Sequence, residues 1–265
     1  MAHLADANLS TTRRTLVRGA AWSVPVVAVA ATAPAFAASP CDVRAYTLDW
    51  DGGNATMGTT AWSRSSYQLG RATVSAPATS GAGSILVTFA SAWINESGWQ
   101  ARDRRDQDMN LTISTETNVG GLNQGRGLYV RHESPIDDGR SRRQRLTVSF
   151  ERAVTGLNFT ITDIDSTAGG YWDRVELSAT GPGGVAAYTP TRAVGITGTG
   201  GTNTNAFRQT DDDTTYNPNL GGGNVGISFA NTVSVSTLTL EFWNASGDGQ
   251  QAIYLSNFEF NAKGC

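Results

Sequence analysis

Residues 154–166 read VTGLNFTITDIDS, and the apolar side chains of Leu157, Phe159 and Ile161 recur at every second position. This period places one set of side chains on a buried face of a β-strand and the other set towards solvent. Six further segments alternate in the same way, namely 85–89, 109–113, 146–150, 175–179, 225–229 and 238–242. After residue 37 no segment carries a sustained helical period, so the sequence predicts an all-β fold of antiparallel strands.

Glycine-rich turns separate these predicted strands, for example at 120–121, 181–184 and 221–223. About a dozen strands in one stretch of this length favour two stacked antiparallel sheets. We therefore expect a jelly roll, with an extended immunoglobulin-like sandwich as the alternative. The predicted organisation is a short leader at 38–45 and one domain at 46–265. Residues 198–223 are expected to form a polar, mobile excursion, and a phase slip near Ser256 and Asn257 predicts a bulge.

The N-terminus resembles a twin-arginine signal peptide. Residues 12–18 read TRRTLVR, an Ala-rich apolar run follows at 19–33, and Ala35-Phe36-Ala37 matches the small-x-small cleavage pattern. The resemblance implies export of a mature chain that begins at Ala38. No later segment approaches the length of a membrane span, so none is expected in the mature protein. A single lysine among 20 basic residues is typical of GC-rich genomes such as those of actinobacteria.

Two cysteines and the charge balance describe the predicted mature chain further. Cys41 lies near its start and Cys265 at its end, which in an oxidising compartment predicts a disulfide that joins the termini.

Residues 38–265 hold 17 basic and 22 acidic residues, a formal charge of −5. The arginine runs at 102–105 and 140–145 are interleaved or flanked by aspartates, so we interpret them as solvated loops and expect no nucleic-acid partner.

Few residues after position 37 offer catalytic chemistry. His132 is the one histidine there, and the sequence has no nucleophile elbow, phosphate-binding loop or His-Glu-x-x-His motif. Glu151, Glu176 and Glu241 fall on the solvent phase of predicted strands and could supply the two carboxylates of a glycosidase. A non-catalytic module and a carboxylate-dependent hydrolase therefore both stay open.

Residues 154–166, followed by DRVEL at 173–177, resemble a strand-loop-strand signature of secreted bacterial surface proteins with carbohydrate-binding-module-like sandwiches. The resemblance extends over about residues 145–262, where the closing strands at 238–243 and 253–260 also fit. It implies a sandwich fold and a secreted or loosely wall-associated module whose partner is a glycan or another surface component.

The acids of this segment predict a cation site. Asp163 and Asp165 continue the inward phase of the strand, and a buried carboxylate needs a partner because an unpaired charge is costly to bury. Calcium takes roughly six to eight oxygen ligands, which Asp163, Asp165 and Asp173 could begin to supply. The alternative is that these side chains cap turns through backbone N–H groups or pair with Arg174.

Aromatic side chains outside the alternating sets could stack on sugar rings. Tyr171 and Trp172 are the preferred candidates for ligand binding, because they lie in the loop between the two acid-bearing strands.

Overall fold

The computed structural model describes residues 41–95, 109–133, 139–247 and 249–265, which belong to one compact unit. The predicted signal peptide at 1–37 and residues 38–40 of the predicted leader lie outside this part of the chain. The strands are β1 Val43–Leu48, β2 Gly53–Asn54, β3 Gly58–Ser66, β4 Leu69–Ser75, β5 Ile85–Trp93, β6 Thr112–Ile113, β7 Leu128–Glu133, β8 Gln144–Thr162, β9 Ser166–Thr167, β10 Tyr171–Gly181, β11 Gly184–Val185, β12 Thr189–Arg192, β13 Ile196–Thr197, β14 Arg208–Gln209, β15 Val225–Ser228, β16 Ser234–Asn244, β17 Gln250–Leu255 and β18 Phe258–Lys263.

Helical structure in the described ranges is limited to short 3-10 turns. They include Ala78–Ser80, Val119–Gly121, Gly139–Ser141, Asn203–Asn205 and Gly221–Gly223. None of these turns has the length or the apolar character that crossing a bilayer would demand.

Strand β8 is shared by both layers of the fold. Its first part pairs with β5 and β16, within the order β11-β10-β16-β8-β5-β4-β3-β2. Its last part pairs with β15, β17 and β18, which in turn pair with β12, β7 and β1. Gly156 lies between the two parts with φ +58°, and a Cβ there would collide with the side-chain oxygen of Asn231.

The predicted all-β, antiparallel two-sheet sandwich is confirmed. Several neighbouring strands, such as β10 and β16 or β1 and β18, are distant in sequence, an interleaved order typical of Greek-key sandwiches, the group that includes jelly rolls. The alternating apolar side chains meet between the layers, where Phe89 of β5 lies 6.1 Å from Phe258 of β18, centroid to centroid. Both rings are fully buried.

The disulfide between Cys41 and Cys265 is confirmed, with Cα atoms 5.5 Å apart. The pairing of β1 with β18 over six residues by itself brings the two ends of the domain together, independently of the disulfide. Because β1 begins at Val43, residues 43–45 of the predicted leader belong to the first strand.

Three local expectations are corrected. Residues 109–113 do not form one alternating strand, because Leu111 has φ +61° and only Thr112 and Ile113 pair with β7. Ser256 and Asn257 separate β17 from β18; both strands pair with β8, but β17 pairs with β7 and β18 with β1 on the other side, so the phase slip marks a strand break. The segment 198–223 is packed, since Phe207 is fully buried and bridges to Val175 of β10.

Candidate functional site

The outer face of β10, β16 and β8 carries two parallel rows of polar side chains. In one row Glu176, Glu241 and Arg145 are in register across the three strands. Two residues further along each strand lie Ser178, Thr239 and Thr147, also in register. Neighbouring strands are ~4.8 Å apart and two residues along a strand span roughly 7 Å, so the rows form a small grid of ionic and hydroxyl groups.

Arginines from residues 140–145 hold the two glutamates. Arg140 donates to both oxygens of Glu176, at 2.6 and 2.8 Å, and to Glu241 at 2.9 Å. Arg143 donates to Glu241 at 2.7 Å, and Arg145 donates to it through Nε and Nη2 at 2.9 and 2.6 Å. Both carboxylates therefore accept charge-assisted hydrogen bonds from a network of three arginines.

The network keeps Glu176 ionised. Burial would raise the pKa of its carboxyl, but hydrogen bonds from Arg140 and from the backbone N–H of Asn203 outweigh burial and lower this pKa. The indole of Trp243 donates a further hydrogen bond to Glu176 at 3.2 Å. In turn, the hydrogen bond to Glu176 raises the pKa of Arg140.

A groove of about 570 Å³ lies over this grid. Its floor is formed by the two rows, and residues 200–202 with Arg140 form its walls. Gly200 fixes that wall: its φ is +77°, its carbonyl accepts from the amide of Leu177, and a Cβ there would collide with the Tyr188 hydroxyl. The segment expected to be mobile thus supplies one side of this groove.

Hydroxyl groups in the groove are free to bind. Among the described residues, the side-chain hydroxyls of Ser178, Thr239, Thr147 and Thr202 make no hydrogen bond to protein, and each can both donate and accept. Together with the ionic row they offer a ligand many directed polar contacts. Such a surface suits a ligand that is itself rich in hydroxyl groups.

The arginines of this site were not predicted from the sequence. Arg140 lies in a 3-10 turn and Arg145 on β8, and both form ion pairs with glutamates that their interpretation as solvated loops did not predict. Glu176 and Glu241 lie on the predicted outer face but are buried there, and their direct opposition depends on strand register. No local pattern in the sequence reports that register.

Tyr171 and Trp172 do not lie in a loop as expected but begin β10, and they point to opposite faces because successive side chains alternate across a strand. Trp172 shares the outer face with the groove, although it does not line it. The guanidinium of Arg174 covers its ring at 4.0 Å, and its indole donates to the carbonyl of Gln209 at 3.2 Å. The Tyr171 hydroxyl instead bonds to Asp165 on the inner side. A ligand role for either residue stays a prediction.

Asp163, Asp165 and Asp173 come together at the end of β8. Asp173 accepts a hydrogen bond from the backbone N–H of Asp165 at 3.1 Å. It accepts a second from the side-chain amide of Gln251 at 2.7 Å, in the amide orientation that gives both the nitrogen and the oxygen of Gln251 a partner. Asp165 accepts the backbone N–H of Tyr216 at 2.9 Å. These contacts fit the turn-capping alternative, and Arg174 donates to the backbone of Asp173 instead of its carboxylate.

Burial shifts the titration of these acids. It raises the pKa of Asp163 to about 8, aided by the charges of Asp165 and Glu116. It raises the pKa of Asp165 to about 6, against the hydrogen bonds from Tyr216 and Tyr171. It also raises the pKa of Asp173, and the charge of Asp165 adds to this effect.

The fit of calcium to these acids is incomplete. Oδ1 of Asp163 is buried and has no hydrogen-bond partner, as a ligand oxygen would. Within residues 41–95, 109–133, 139–247 and 249–265, however, no three His, Cys, Asp or Glu side chains are arranged to hold a metal ion. Calcium binding stays a prediction.

A second, shallower groove of about 230 Å³ lies on the other layer, where β15, β8 and β18 present Ser228, Asn158 and Glu259 in register. It is lined by amides, hydroxyls and one carboxylate, and no arginine or lysine lines it.

Comparison with solved structures gives a structural likeness. No protein-family model matches the chain, and no curated protein matches it. Among solved structures it is similar to CBM28, a carbohydrate-binding module described as specific for non-crystalline cellulose. The TM-score is 0.29 and the identity 14%, over 64% of this chain and 86% of that one. We therefore base the functional proposal on the groove itself.

Proposed function

We propose that the chain is a non-catalytic module that binds a glycan in the groove over β10, β16 and β8, outside the cytoplasm. The row formed by Ser178, Thr239 and Thr147, beside the row of Glu176, Glu241 and Arg145, carries this proposal. Sugar hydroxyls both donate and accept, so they complement unoccupied protein hydroxyls and charged groups alike.

The state of the two glutamates favours binding over hydrolysis. A glycosidase needs one carboxylic acid that keeps its proton until it protonates the leaving oxygen, usually through a raised pKa. Glu176 has a lowered pKa, and both oxygens of Glu241 accept hydrogen bonds from arginine. Both carboxylates therefore act as hydrogen-bond acceptors that orient arginines.

The proposed location outside the cytoplasm is supported by the N-terminus and the cysteines. The twin-arginine pattern at Arg13 and Arg14 supports export in the folded state, and the Cys41–Cys265 disulfide is compatible with an extracellular protein. Replacing both arginines, Arg13→Lys with Arg14→Lys, should keep the protein in the cell. Efficient secretion of the double variant would contradict the twin-arginine proposal.

Binding is tested with the purified protein on a glycan array, followed by calorimetry with the best soluble ligand. Thr239→Val removes one hydroxyl of the row with little change in shape and should weaken binding roughly fivefold, the loss of one hydrogen bond. Thr237→Val, two residues away on the same strand and outside the groove, is the matched control. Release of reducing ends should stay at background.

Two results would contradict the proposal. Absence of binding to every glycan on the array would remove the function, and an equal loss in Thr237→Val and Thr239→Val would remove the groove as its site.

A further inference from the structure

The exposed charge of the groove is positive. The side chains of Arg145 and Arg140 are 41% and 33% exposed, whereas those of Glu176 and Glu241 are 7% and 10% exposed. With Arg143, three guanidinium groups surround two carboxylates, so the cluster has a formal charge of +1. A ligand that enters the groove meets the cationic part of the network, and the anionic part lies beneath it.

The two exposed arginines also retain unused donors. Arg145 uses Nε and Nη2 for Glu241, and Arg140 uses Nε and Nη2 for the two glutamates. In the part of the chain that the structure describes, Nη1 of each guanidinium makes no hydrogen bond. Because the glutamates fix the planes of both groups, these donors are already oriented when a ligand arrives.

We propose that the groove selects acidic glycans, in which a carboxylate or sulfate substituent binds Arg145 and Arg140 while sugar hydroxyls bind the row of Ser178, Thr239 and Thr147. This inference rests on the proposed glycan-binding function and names the class of its ligand. The predicted mature chain has a formal charge of −5, so the attraction is local to the groove and does not come from the overall field. The two rows lie roughly 7 Å apart, which lets one sugar unit and its acidic substituent contact both.

The experiment compares matched ligands by calorimetry with the purified protein. The first pair is an oligogalacturonate and its carboxyl-reduced, neutral counterpart, and the second pair is a sulfated galactan oligosaccharide and its desulfated form. We expect at least one acidic ligand to bind roughly tenfold more tightly than its neutral partner, as a charge-assisted hydrogen bond provides. The pair with the larger ratio identifies the substituent as carboxylate or sulfate.

Variants locate the effect. Arg145→Gln should reduce the acidic-to-neutral ratio to below about threefold. Arg71→Gln, which removes an exposed arginine on β4 outside the groove, should leave the ratio unchanged. Arg145→Lys keeps the charge but loses the planar fork, so an intermediate ratio is expected. Thermal unfolding of each variant shows that it is folded, and Arg145→Lys serves in place of Arg145→Gln if the latter is not.

The outcomes separate this inference from the proposed function. Equal binding of acidic and neutral partners would overturn the selection of acidic glycans and leave glycan binding standing. No binding of any of these ligands, together with an empty glycan array, would overturn both. An equal loss in Arg71→Gln and Arg145→Gln would show unspecific attraction and overturn the role of the groove arginines.

Discussion

Glu176 on β10 and Glu241 on β16 lie directly opposite each other, and Arg140 donates hydrogen bonds to both carboxylates. Like charges in opposed positions of an antiparallel pair destabilise a sheet. Arg140, with Arg143 and Arg145, reverses that effect, so the outer face of the sheet depends on a short segment that precedes and begins β8. The groove and the stability of this layer are therefore linked through the same side chains.

Glu241→Gln tests that link. The substitution keeps the shape of the side chain but removes the charge that three arginines share, so we expect the free energy of unfolding to fall by about 2 kcal/mol. Urea unfolding measures the change. Glu151→Gln is the matched control, because Glu151 is 53% exposed and its ion pair with Arg152 is long, at 3.9 Å; its effect should stay below about 0.5 kcal/mol. Equal effects of the two substitutions would contradict the network.

The strands were predictable from the sequence, and the groove was not. Leu157, Phe159 and Ile161 occupy every second position because one face of β8 is buried. A period of two is a local property that can be read directly from the sequence. The opposition of Glu176 and Glu241 instead depends on the register between strands some 60 residues apart. Arg140 was misread for the same reason, since a charged residue in a turn says nothing about which carboxylates the fold brings to it.

Asp163 should make the protein less stable as pH rises. Its pKa is about 8 in the folded protein and close to 4 in an unfolded chain, so the folded state binds the proton more tightly. The stabilisation is complete below about pH 4 and is lost as pH rises through about 8, and Asp165, with a pKa of about 6, acts in the same direction. We expect a decrease, by at most about 5 kcal/mol for Asp163, in the free energy of unfolding across this range.

Asp163→Asn isolates this contribution. Asn cannot ionise, so the variant should be more stable than the parent at pH 8 and should lose much of the decline measured by urea unfolding between pH 5 and pH 8. His132 acts in the opposite direction at lower pH. Burial lowers its pKa to about 3, so the stability it contributes is present above about pH 6.5 and is lost as pH falls. An unchanged slope in Asp163→Asn would contradict the assignment to Asp163.

Calcium gives a distinct expectation for the same acids. An ion shared by Asp163, Asp165 and Asp173 binds only the folded state, so a hundredfold excess over its dissociation constant would add about 2.7 kcal/mol. The midpoint of thermal unfolding at pH 8 would then rise by several degrees, reversibly with chelator, and Asp163→Asn would abolish the increment. No response of the parent protein to calcium would remove the metal site and leave the turn-capping contacts as the explanation.

The disulfide should stabilise the domain without being needed for its fold. The disulfide closes a loop between cysteines that are 224 residues apart in sequence. In the chain-entropy model, replacing Cys41 and Cys265 with serine therefore lowers the free energy of unfolding by roughly 5 kcal/mol at most. The pairing of β1 with β18 remains, so the variant should still give the circular dichroism of a β-protein and a lower midpoint in urea. An unfolded variant would show that strand pairing alone does not hold the termini.

The predicted pair Tyr171 and Trp172 shows how a local motif is divided by the geometry of a strand. Both residues were predicted to bind the ligand, but alternation sends Tyr171 to Asp165 and Trp172 to the face of the groove. Substitution of each residue should therefore affect a different property of the protein.

Tyr171→Phe removes the hydroxyl that bonds to Asp165 and keeps the ring. Because that hydrogen bond lowers the pKa of Asp165, its loss should raise this pKa further, which carbon-detected NMR titration of the carboxyl group measures. Trp172→Ala removes the ring beneath Arg174, on the same face as the proposed groove, and should weaken glycan binding roughly fivefold in calorimetry while leaving the Asp165 titration in place. Since the side chains lie on opposite faces of β10, Tyr171→Phe should not change glycan affinity. A comparable loss of glycan affinity in both variants would show that both side chains contact the same ligand. It would contradict their placement on opposite faces of β10.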